Sequence, residues 1–351
     1  MRVTGTAQLE AWRTRELPPV EEVTSGVWSV PVPVPDNPVR YVLCYLIEHQ
    51  SGLVMVDPGW NHPDGWRALT AGLDHCGVPL SSVTAVLVTH VHPDHHGLSG
   101  AVREASGAWI GMHEREDALV ARMSGDQGWR QGEWAQFLHW SGAPEEHIQD
   151  LTNARNARPR AMVRADRTIS PGELIDAPGL RLRALLTPGH TAGHLCFHDE
   201  TRGLLLTGDH VLPRITPNVS AYDMVSSPLQ DYLHSLDALR GLQPAEVLPA
   251  HEYRFTDLDD RLGDIADHHA QRLKEVADVL AAHPAGLSTW QVAERVTWSR
   301  GWDQLSGFPR QAALGEVLAH LRHLQGQGAA DCADTDGVGH WRRPRAGSRP
   351  G

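Results

Sequence analysis

The sequence predicts a layered α/β protein, an αββα sandwich, followed by a smaller domain of helices and a β-ribbon. Three observations support this prediction. In the first two-thirds of the 351 residues, short apolar runs alternate with turn signals and with stretches of helical spacing. Several of these runs are followed within a few residues by His, Asp or Gly. After His251 the strand signals stop for a while and a long amphipathic stretch begins.

The strands of the large domain are predicted where apolar and β-branched residues cluster between turn signals. They are 39–48, 52–57, 83–89, 180–186, 195–198, 203–206 and 246–249. The first two form a hairpin around 49–51, and the run 83–89 is typical of a strand buried on both faces. Helices are predicted at 66–76 and 97–106.

A mostly helical insertion is predicted at 114–160. It contains Trp129, Trp134, Phe137 and Trp140. These aromatic residues could form a lid or an apolar wall over a substrate pocket. The interpretation that we favour is simpler, namely that they pack the insertion onto the body of the large domain.

The segment after Leu258 predicts three helices and a small β-ribbon. The helices are 258–282, 288–295 and 311–325, and the ribbon is 329–341 with its turn at 336–337. Ser288 and Gln291 form a capping-box pattern at the start of the second helix. This order of elements is that of a winged-helix module. We therefore expect a large domain at 1–257, a small domain at 258–345 and a tail at 346–351.

Composition narrows the classes of protein. Apolar residues make up 41% and charged residues 21%, which is ordinary for a globular chain. The net charge of −12 disfavours broad binding to nucleic acid. Four scattered cysteines without a CxxC pair fit reduced thiols in the cytoplasm. Residues 1–19 lack the apolar run of a signal peptide, and no stretch approaches the roughly 20 apolar residues of a membrane helix.

Four ligand-type residues stand within six positions directly after the predicted strand 83–89. They are His90, His92, Asp94 and His95. His90 and His92 are two residues apart, so strand alternation lets them face the same way. So many polar groups beside a buried strand would be unfavourable without a partner. Imidazole and carboxylate groups suit zinc, and also iron or manganese, so the run predicts a metal site.

Three later residues repeat the same arrangement of a strand followed by a ligand-type side chain. His190 lies in a tight turn that leaves a strand, and Asp209 and His251 each follow a strand within a few residues. Each residue alone is a weak signal. Together they can complete two metal sites.

With these residues in place, the sequence resembles the metallo-β-lactamase superfamily over roughly residues 25–255. The segment 187–194, Thr-Pro-Gly-His-Thr-Ala-Gly-His, resembles the glyoxalase II and thioesterase side of that superfamily. The resemblance implies an αββα sandwich with two divalent metal ions, zinc by preference, with iron or manganese as alternatives. It implies that His90, His92 and His190 hold one ion, that Asp94, His95 and His251 hold the other, and that Asp209 bridges them.

The resemblance also assigns supporting roles. Asp57, at the end of a strand, would support the ligand loop. His194 and His210 are interpreted as structural neighbours of the ligands. Other histidines without such a context are left out of the site, namely His62, His113, His268 and His269. No Cys stands at a ligand position, so hydrolysis of antibiotics is not favoured.

The implied reaction is hydrolysis by a hydroxide that two metal ions roughly 3.5–4 Å apart share. This hydroxide attacks a carbonyl or phosphoryl centre, while one ion polarises the substrate oxygen. Asp94, besides being a ligand, is a candidate to orient the hydroxide or to carry a proton to the leaving group.

Residues 258–345 resemble the winged-helix domain fused to some metallo-β-lactamase proteins, including the lactamase-β-like endoribonucleases. The similarity lies in the segments 208–218, 268–272, 287–289 and 319–328. This resemblance leaves two main functions open. The first is hydrolysis of an ester or thioester of a small acyl substrate, with the small domain shaping the pocket or forming a homodimer contact. The second is an endoribonuclease that cleaves single-stranded RNA held by the winged helix.

The negative net charge, the Trp-rich insertion and the glyoxalase-like turn favour hydrolysis of an acyl ester or thioester over cleavage of RNA. Two further interpretations are weaker. A DNA-binding protein without enzymatic activity is disfavoured because the segment 311–325 has Arg322 alone against Glu316. Iron chemistry of the persulfide dioxygenase type is disfavoured by a second ligand set that includes His95 and His251.

Overall fold

The computed structural model describes residues 1–124, 127–156, 162–223 and 225–344. The side chain of Trp129 and the tail 346–351 lie outside the described part. Within it, no helix is both long and apolar enough to cross a membrane.

Sixteen strands are found among the described residues. In chain order they are β1 (Arg2–Val3), β2 (Glu21–Thr24), β3 (Val27–Pro33), β4 (Tyr41–His49), β5 (Gly52–Val56), β6 (Val83–Leu87), β7 (Trp109–Met112), β8 (Arg167–Thr168), β9 (Leu182–Leu186), β10 (Leu195–Asp199), β11 (Leu204–Gly208), β12 (Glu246–Pro249), β13 (Phe255–Thr256), β14 (Leu287–Ser288), β15 (Asp331–Thr335) and β16 (Val338–Arg342). Every strand expected from the sequence is present, within a few residues of its predicted bounds.

The same residues form eleven α-helices. In chain order they are α1 (Thr6–Thr14), α2 (Pro63–His75), α3 (Pro93–His96), α4 (Ser99–Ser106), α5 (Glu114–Ser124), α6 (Gln127–Trp140), α7 (Glu145–Asn156), α8 (Pro228–Leu239), α9 (Leu258–Ala282), α10 (Thr289–Ala293) and α11 (Gly307–Gly326). Two short 3₁₀ segments, Leu80–Ser82 and Trp302–Gln304, complete the list. The predicted capping box at Ser288 is confirmed by reciprocal bonds with Gln291.

Two large sheets form the body of the fold. The first has the order β2-β3-β4-β5-β6-β7-β8, and the second has the order β1-β13-β12-β11-β10-β9. Buried residues of both sheets, such as Tyr45 and Leu87 from the first and Phe197 and Leu206 from the second, share one apolar cluster. A second cluster lies where α2 and α4 place Leu69 and Val102 against the first sheet. The predicted α/β class is confirmed.

Strand direction explains why the ligand-type residues meet. Strands β5, β6 and β7 run parallel, so the segments after β5 and β6 leave the first sheet at one edge. In the second sheet β11 and β12 are parallel, and β9 runs in the same direction because both β9 and β11 are antiparallel to β10. The segments after β9, β11 and β12 therefore leave the second sheet at a common edge.

The contacts divide the chain into two compact units. The first consists of Met1–Gly125, Arg160–Pro217 and Ser235–Gly263, and the second of Asp126–Pro159, Asn218–His234 and Asp264–Gly351. A domain boundary between residues 257 and 258 stays a prediction. Most of the insertion 114–160 belongs to the second unit. That unit contains a three-stranded antiparallel sheet in the order β14-β16-β15, and its assignment as a winged-helix module stays a prediction.

The aromatic residues of the insertion contact other parts of the second unit. Trp134 stacks on Phe137 at 4.9 Å and lies 5.6 Å from Tyr222, measured between ring centroids. Trp140 meets Trp341 edge to face at 6.2 Å. Tyr222 lies within the predicted large domain 1–257 and Trp341 lies outside it, so the expected packing onto that domain is found for Trp134 and Phe137 and not for Trp140.

Candidate metal centre

The four clustered residues lie on a tight turn after β6. The strand ends at Leu87, so His90 and His92 stand on irregular backbone, and strand alternation is not what orients them. Pro93 opens the short helix α3, which carries Asp94 and His95. Proline at this position suits a helix start because its backbone has no N–H that needs a partner. The helix turn therefore places Asp94 and His95 in a second group beside the first, with the rings of His90 and His95 only 4.1 Å apart between centroids.

The first ligand group combines His90, His92 and His190. His90 Nε2 lies 2.9 Å from His92 Nδ1, and His190 Nε2 lies 3.1 Å from the same His92 atom. His190 comes from the turn after β9, as the sequence predicts. The ligand atoms of these residues and of Asp209 all lie within 4.8 Å of one another.

The second ligand group consists of Asp94, His95 and His251, whose ligand atoms also lie within 4.8 Å of one another. Asp94 Oδ2 lies 3.5 Å from His251 Nε2 and 3.9 Å from His95 Nε2. The two histidines are almost completely buried, with exposures of 0% and 1%, whereas the Asp94 side chain is 15% exposed. Asp94 is therefore the member of this group that reaches the open side of the site.

Asp209 stands between the two groups. Its Oδ1 lies 3.2 Å from His251 Nε2 and 3.5 Å from His95 Nε2. Its Oδ2 lies 3.6 Å from His190 Nε2. One carboxylate thus directs one oxygen towards each group, which is the position that the family resemblance assigns to a bridging ligand.

The donor atoms fit divalent metal ions. Three of them are buried and have no hydrogen-bond partner among the described residues, namely His95 Nε2, Asp209 Oδ1 and His251 Nε2. Burial opposes ionisation of Asp209, but the His251 and His95 rings hold its pKa well below the usual range. Burial alone would lower the pKa of His251, but the Asp209 and Asp94 carboxylates outweigh it and raise the pKa to about 10. The buried carboxylates thus favour a positive charge beside them, and a zinc-type ion would supply that charge while the imidazoles bind it in their neutral form.

Asp57 supports both halves of the ligand turn. Its Oδ2 accepts hydrogen bonds from His95 Nδ1 at 2.8 Å and from the Thr89 hydroxyl at 2.7 Å, while its Oδ1 accepts from the Thr89 backbone N–H at 2.8 Å. The Thr89 hydroxyl in turn lies 3.0 Å from His90 Nδ1. These contacts leave Nε2 of His95 and of His90 facing the metal centre. The supporting position expected for Asp57 agrees with this geometry.

Glu116 of α5 is a site residue that sequence reasoning missed. Its buried carboxylate accepts a hydrogen bond from the Val91 N–H at 2.9 Å and one from the Gly193 N–H at 2.7 Å. Val91 lies between two ligands, and Gly193 belongs to the turn that carries His190. Burial raises the pKa of Glu116, although these bonds oppose the shift. No local motif marks Glu116, because its partners are distant in sequence.

The remaining histidines have structural positions. His194 joins the turn after β9 to β11: its Nε2 accepts from the Asp209 N–H at 3.2 Å, and its Nδ1 lies 2.9 Å from the Thr187 hydroxyl. His210 is fully buried beside it, with ring centroids 5.8 Å apart. His62 caps α2, and His113 accepts from the Arg115 N–H. His268 and His269 lie on α9, within the second unit.

Residues 37–251 match the family model of the metallo-beta-lactamase superfamily, and this range includes all seven ligand-type residues. The chain belongs to the metallo-β-lactamase superfamily. It is 28% identical over 280 residues to the probable metallo-hydrolase YqjP of Bacillus subtilis, which covers 78% of this chain and 85% of that protein. It is 24% identical over 245 residues to the thioesterase pkgB of Emericella nidulans, which covers 70% of this chain and 56% of that protein. The chain is therefore a hydrolase of a metal-dependent family.

Solved structures share the fold over nearly the whole chain. A metallo-beta-lactamase family protein from Thermus thermophilus has a TM-score of 0.76 at 29% identity and covers 92% of this chain and 100% of its own. A beta-lactamase domain protein from Burkholderia ambifaria has a TM-score of 0.73 at 27% identity and covers 93% and 95%. At this coverage the likeness extends into the C-terminal segments.

Proposed function

We propose that this protein is a binuclear hydrolase that cleaves an ester or thioester bond of a small acyl substrate. The observation that carries the reaction class is the placement of Asp209 between two separate groups of ligand atoms. His90, His92 and His190 would hold one ion, Asp94, His95 and His251 the other, and Asp209 both. Zinc is the expected ion, with iron or manganese as alternatives.

When bound, the ions would lower the pKa of a coordinated water towards about 7 and polarise the substrate oxygen. The protein supplies the positioning. Asp57 fixes His95, and the Tyr41 carbonyl accepts a hydrogen bond from His251 Nδ1 at 2.7 Å, so both rings present Nε2 to the centre. Asp94 is the least buried member of its group, and this supports a role in which its carboxylate would orient a water or pass a proton to the leaving group.

Two observations support an acyl thioester or ester as the substrate. The turn that carries His190 has the sequence Thr-Pro-Gly-His-Thr-Ala-Gly-His, which resembles that of glyoxalase II. The relative pkgB is named a thioesterase, although the chain spans only about half the length of that protein.

Cleavage of RNA is the competing function, and the contacts of α11 weaken it. Arg322 lies 5.7 Å from the Trp140 ring centroid and 5.5 Å from that of Trp341. Arg310 lies 5.4 Å from the Trp302 centroid. Both guanidinium groups of α11, the presumed recognition helix, thus contact aromatic rings of their own unit. This leaves the helix few cationic groups for contacts with phosphates.

The test uses the metal-loaded full chain with a panel of acyl thioesters and with single-stranded RNA. We expect hydrolysis of thioesters that is lost in His92→Ala and retained in His75→Ala, a matched change at an exposed histidine outside the site. Cleavage of RNA alone, lost in His92→Ala, would contradict the acyl substrate and establish the nuclease instead. Metal analysis of the same samples should find about two ions per chain, and fewer than one would contradict the binuclear site.

A further inference from the structure

A cavity of about 630 Å³ lies beside the segment that leads into β4. It is lined by the loop 33–41 between β3 and β4, by residues 15–17 and by Asp64. Tyr41 connects it to the site, because its backbone carbonyl accepts the hydrogen bond from the ligand His251. One residue of the cavity wall thus holds a ligand-type residue of the metal centre, and this link is our reason for assigning the cavity to the part of a substrate that extends away from the bond being cleaved.

Arg40 is the distinctive residue of this cavity. Its Nη2 donates to the Trp12 carbonyl at 2.8 Å, and its guanidinium carbon lies 3.8 Å from the Trp12 ring centroid. Its Nη1 is buried and finds no hydrogen-bond acceptor among the described residues. A buried charged donor that lacks an acceptor is unfavourable, and an anionic ligand would remove that penalty.

The neighbouring arginine is already paired. Arg214 also approaches Trp12, with its guanidinium carbon 5.2 Å from the ring centroid. Its Nε donates to Glu252 Oε1 at 3.0 Å, and Glu252 is completely buried. Arg40 has no carboxylate within ion-pair distance in the described part of the chain. Of the two cations that contact Trp12, therefore, Arg214 is neutralised by a carboxylate and Arg40 is not.

The acidic residues of the cavity do not neutralise Arg40. Asp64 is paired with Arg67 on the same helix. Glu16 and Asp36 are exposed and stand at the rim of the cavity. The buried lining comes instead from apolar groups such as Val34, together with prolines whose fixed backbone gives the loop a rigid wall.

We propose that this cavity binds an anionic oxygen group of the substrate, a carboxylate or a phosphate, and that Arg40 selects it. The proposal rests on the proposed function, since the anionic group belongs to the molecule whose ester or thioester bond is cleaved at the metal centre. A carboxylate would lie at the far end of the acyl chain. A phosphate would belong to the thiol carrier. In both cases the planar guanidinium can donate two parallel bonds to the anion.

The experiment compares three thioesters in the zinc-loaded full chain. Glutaryl and pentanoyl N-acetylcysteamine have acyl chains of equal length and differ in one terminal carboxylate, and pentanoyl-coenzyme A adds phosphates to the carrier. The variants are Arg40→Gln and Arg40→Lys, with Arg13→Gln as the matched loss of an exposed arginine on α1. Each preference is measured as a ratio of kcat/KM values within one variant, so a general loss of folded or metal-loaded protein cancels.

We expect the wild type to favour one anionic substrate over its neutral counterpart by about tenfold or more. Arg40→Gln should abolish that preference, Arg40→Lys should keep part of it, and Arg13→Gln should keep all of it. A lost preference for the glutaryl ester assigns the cavity to an acyl carboxylate, and a lost preference for coenzyme A assigns it to a carrier phosphate. Equal ratios in the wild type and Arg40→Gln, or an equal fall on all three substrates, would overturn the proposal.

If the wild type hydrolyses none of the thioesters, the proposed function fails and the anion site is judged separately. Calorimetry with glutarate and with inorganic phosphate then compares the wild type with Arg40→Gln. Binding that is at least several-fold weaker in Arg40→Gln would support the anion site, and binding of equal strength would overturn it.

Discussion

Glu116 links the two turns that carry His90, His92 and His190. Its two carboxylate oxygens hold two backbone N–H groups, one in the turn after β6 and one in the turn after β9. A glutamine has the same shape but offers one acceptor oxygen and one NH₂ group. The NH₂ group would face a backbone N–H, so one of the two ligand-bearing turns would lose its anchor.

We therefore expect Glu116→Gln to weaken metal binding by about 10- to 100-fold. Competition with a chromogenic zinc chelator measures the change. Glu114→Gln, an exposed change at the start of the same helix, is the control and should bind zinc like the wild type. An affinity that is the same in all three proteins would show that Glu116 does not position the ligands.

We expect Asp94 to have two separable roles, as a ligand and as a carrier of protons. Asp94→Asn keeps an oxygen that can face the second ligand group but removes the basic carboxylate. We expect kcat to fall by about 10²- to 10⁴-fold at metal contents matched to the wild type. The measurement is steady-state hydrolysis with metal analysis of the same sample. A rate near that of the wild type at normal metal content would leave Asp94 as a ligand only.

At the scale of single elements, α10 provides a direct test of local stabilisation. Ser288 Oγ accepts from the Gln291 N–H at 3.2 Å, and the Gln291 side chain accepts from the Ser288 N–H at 3.0 Å. Ser288→Ala removes the first bond and should lower the free energy of unfolding by about 1 kcal/mol. Ser306 precedes α11 without a side-chain capping bond, so Ser306→Ala is the matched control. Urea unfolding that gives equal losses for both variants would contradict the capping role.

The sequence predicts elements well where the signal is local. The hairpin of β4 and β5, the start of α9 at Leu258 and the capping box at Ser288 all follow from residues that are neighbours in the chain. Strand β3 was missed because it contains Pro31 and Pro33, which usually argue against a strand. They are tolerated because β2 pairs only with the first three residues of β3, so both prolines lie beyond the β2 ladder.

Features that depend on distant partners could not be predicted in this way. The seven ligand-type residues were found because each follows a strand and has a recognisable chemistry. Glu116 and Arg40 have no such local mark, since their roles come from Gly193, 77 residues away, and from Trp12, 28 residues away. The packing of the insertion could not be predicted for the same reason, because Trp140 meets Trp341 only after the chain has folded.

At the scale of the whole molecule, a buried histidine pair makes the second unit sensitive to acid. His269 Nδ1 lies 3.3 Å from His320 Nε2, and His320 Nδ1 donates to the Glu316 carbonyl. Burial, together with the positive charges of neighbouring His and Arg272 side chains, lowers the pKa of His269 to about 3 and that of His320 to about 4. Both rings are therefore neutral in the folded protein at pH 5, whereas an unfolded histidine takes up a proton below about 6.5.

The unfolded chain thus binds more protons than the folded chain between pH 6.5 and pH 4, so stability is retained above this range and falls as the pH decreases. Each histidine should account for roughly 2 kcal/mol of lost stability between pH 7 and pH 5. Urea unfolding at the two pH values measures this loss. His320→Gln should reduce it, whereas His139→Gln, at a side chain that is 55% exposed, should leave it unchanged. A loss of the same size in His320→Gln would show that the pair is not its source.

The metal centre joins the two large sheets, and this gives the last prediction. His90, His92, Asp94 and His95 follow a strand of the first sheet, whereas His190, Asp209 and His251 follow strands of the second. Ions that bind both sets stabilise the folded state alone, by about 2.7 kcal/mol when free metal is at 100 times its Kd. Chelation should therefore lower the Tm by roughly 5–10 °C for a unit of this size, and zinc should restore it. His251→Ala should have a lower Tm that no longer responds to zinc, whereas His75→Ala should respond like the wild type. An unchanged Tm after complete metal removal would mean that the two sheets hold the ligand atoms in place without the ions.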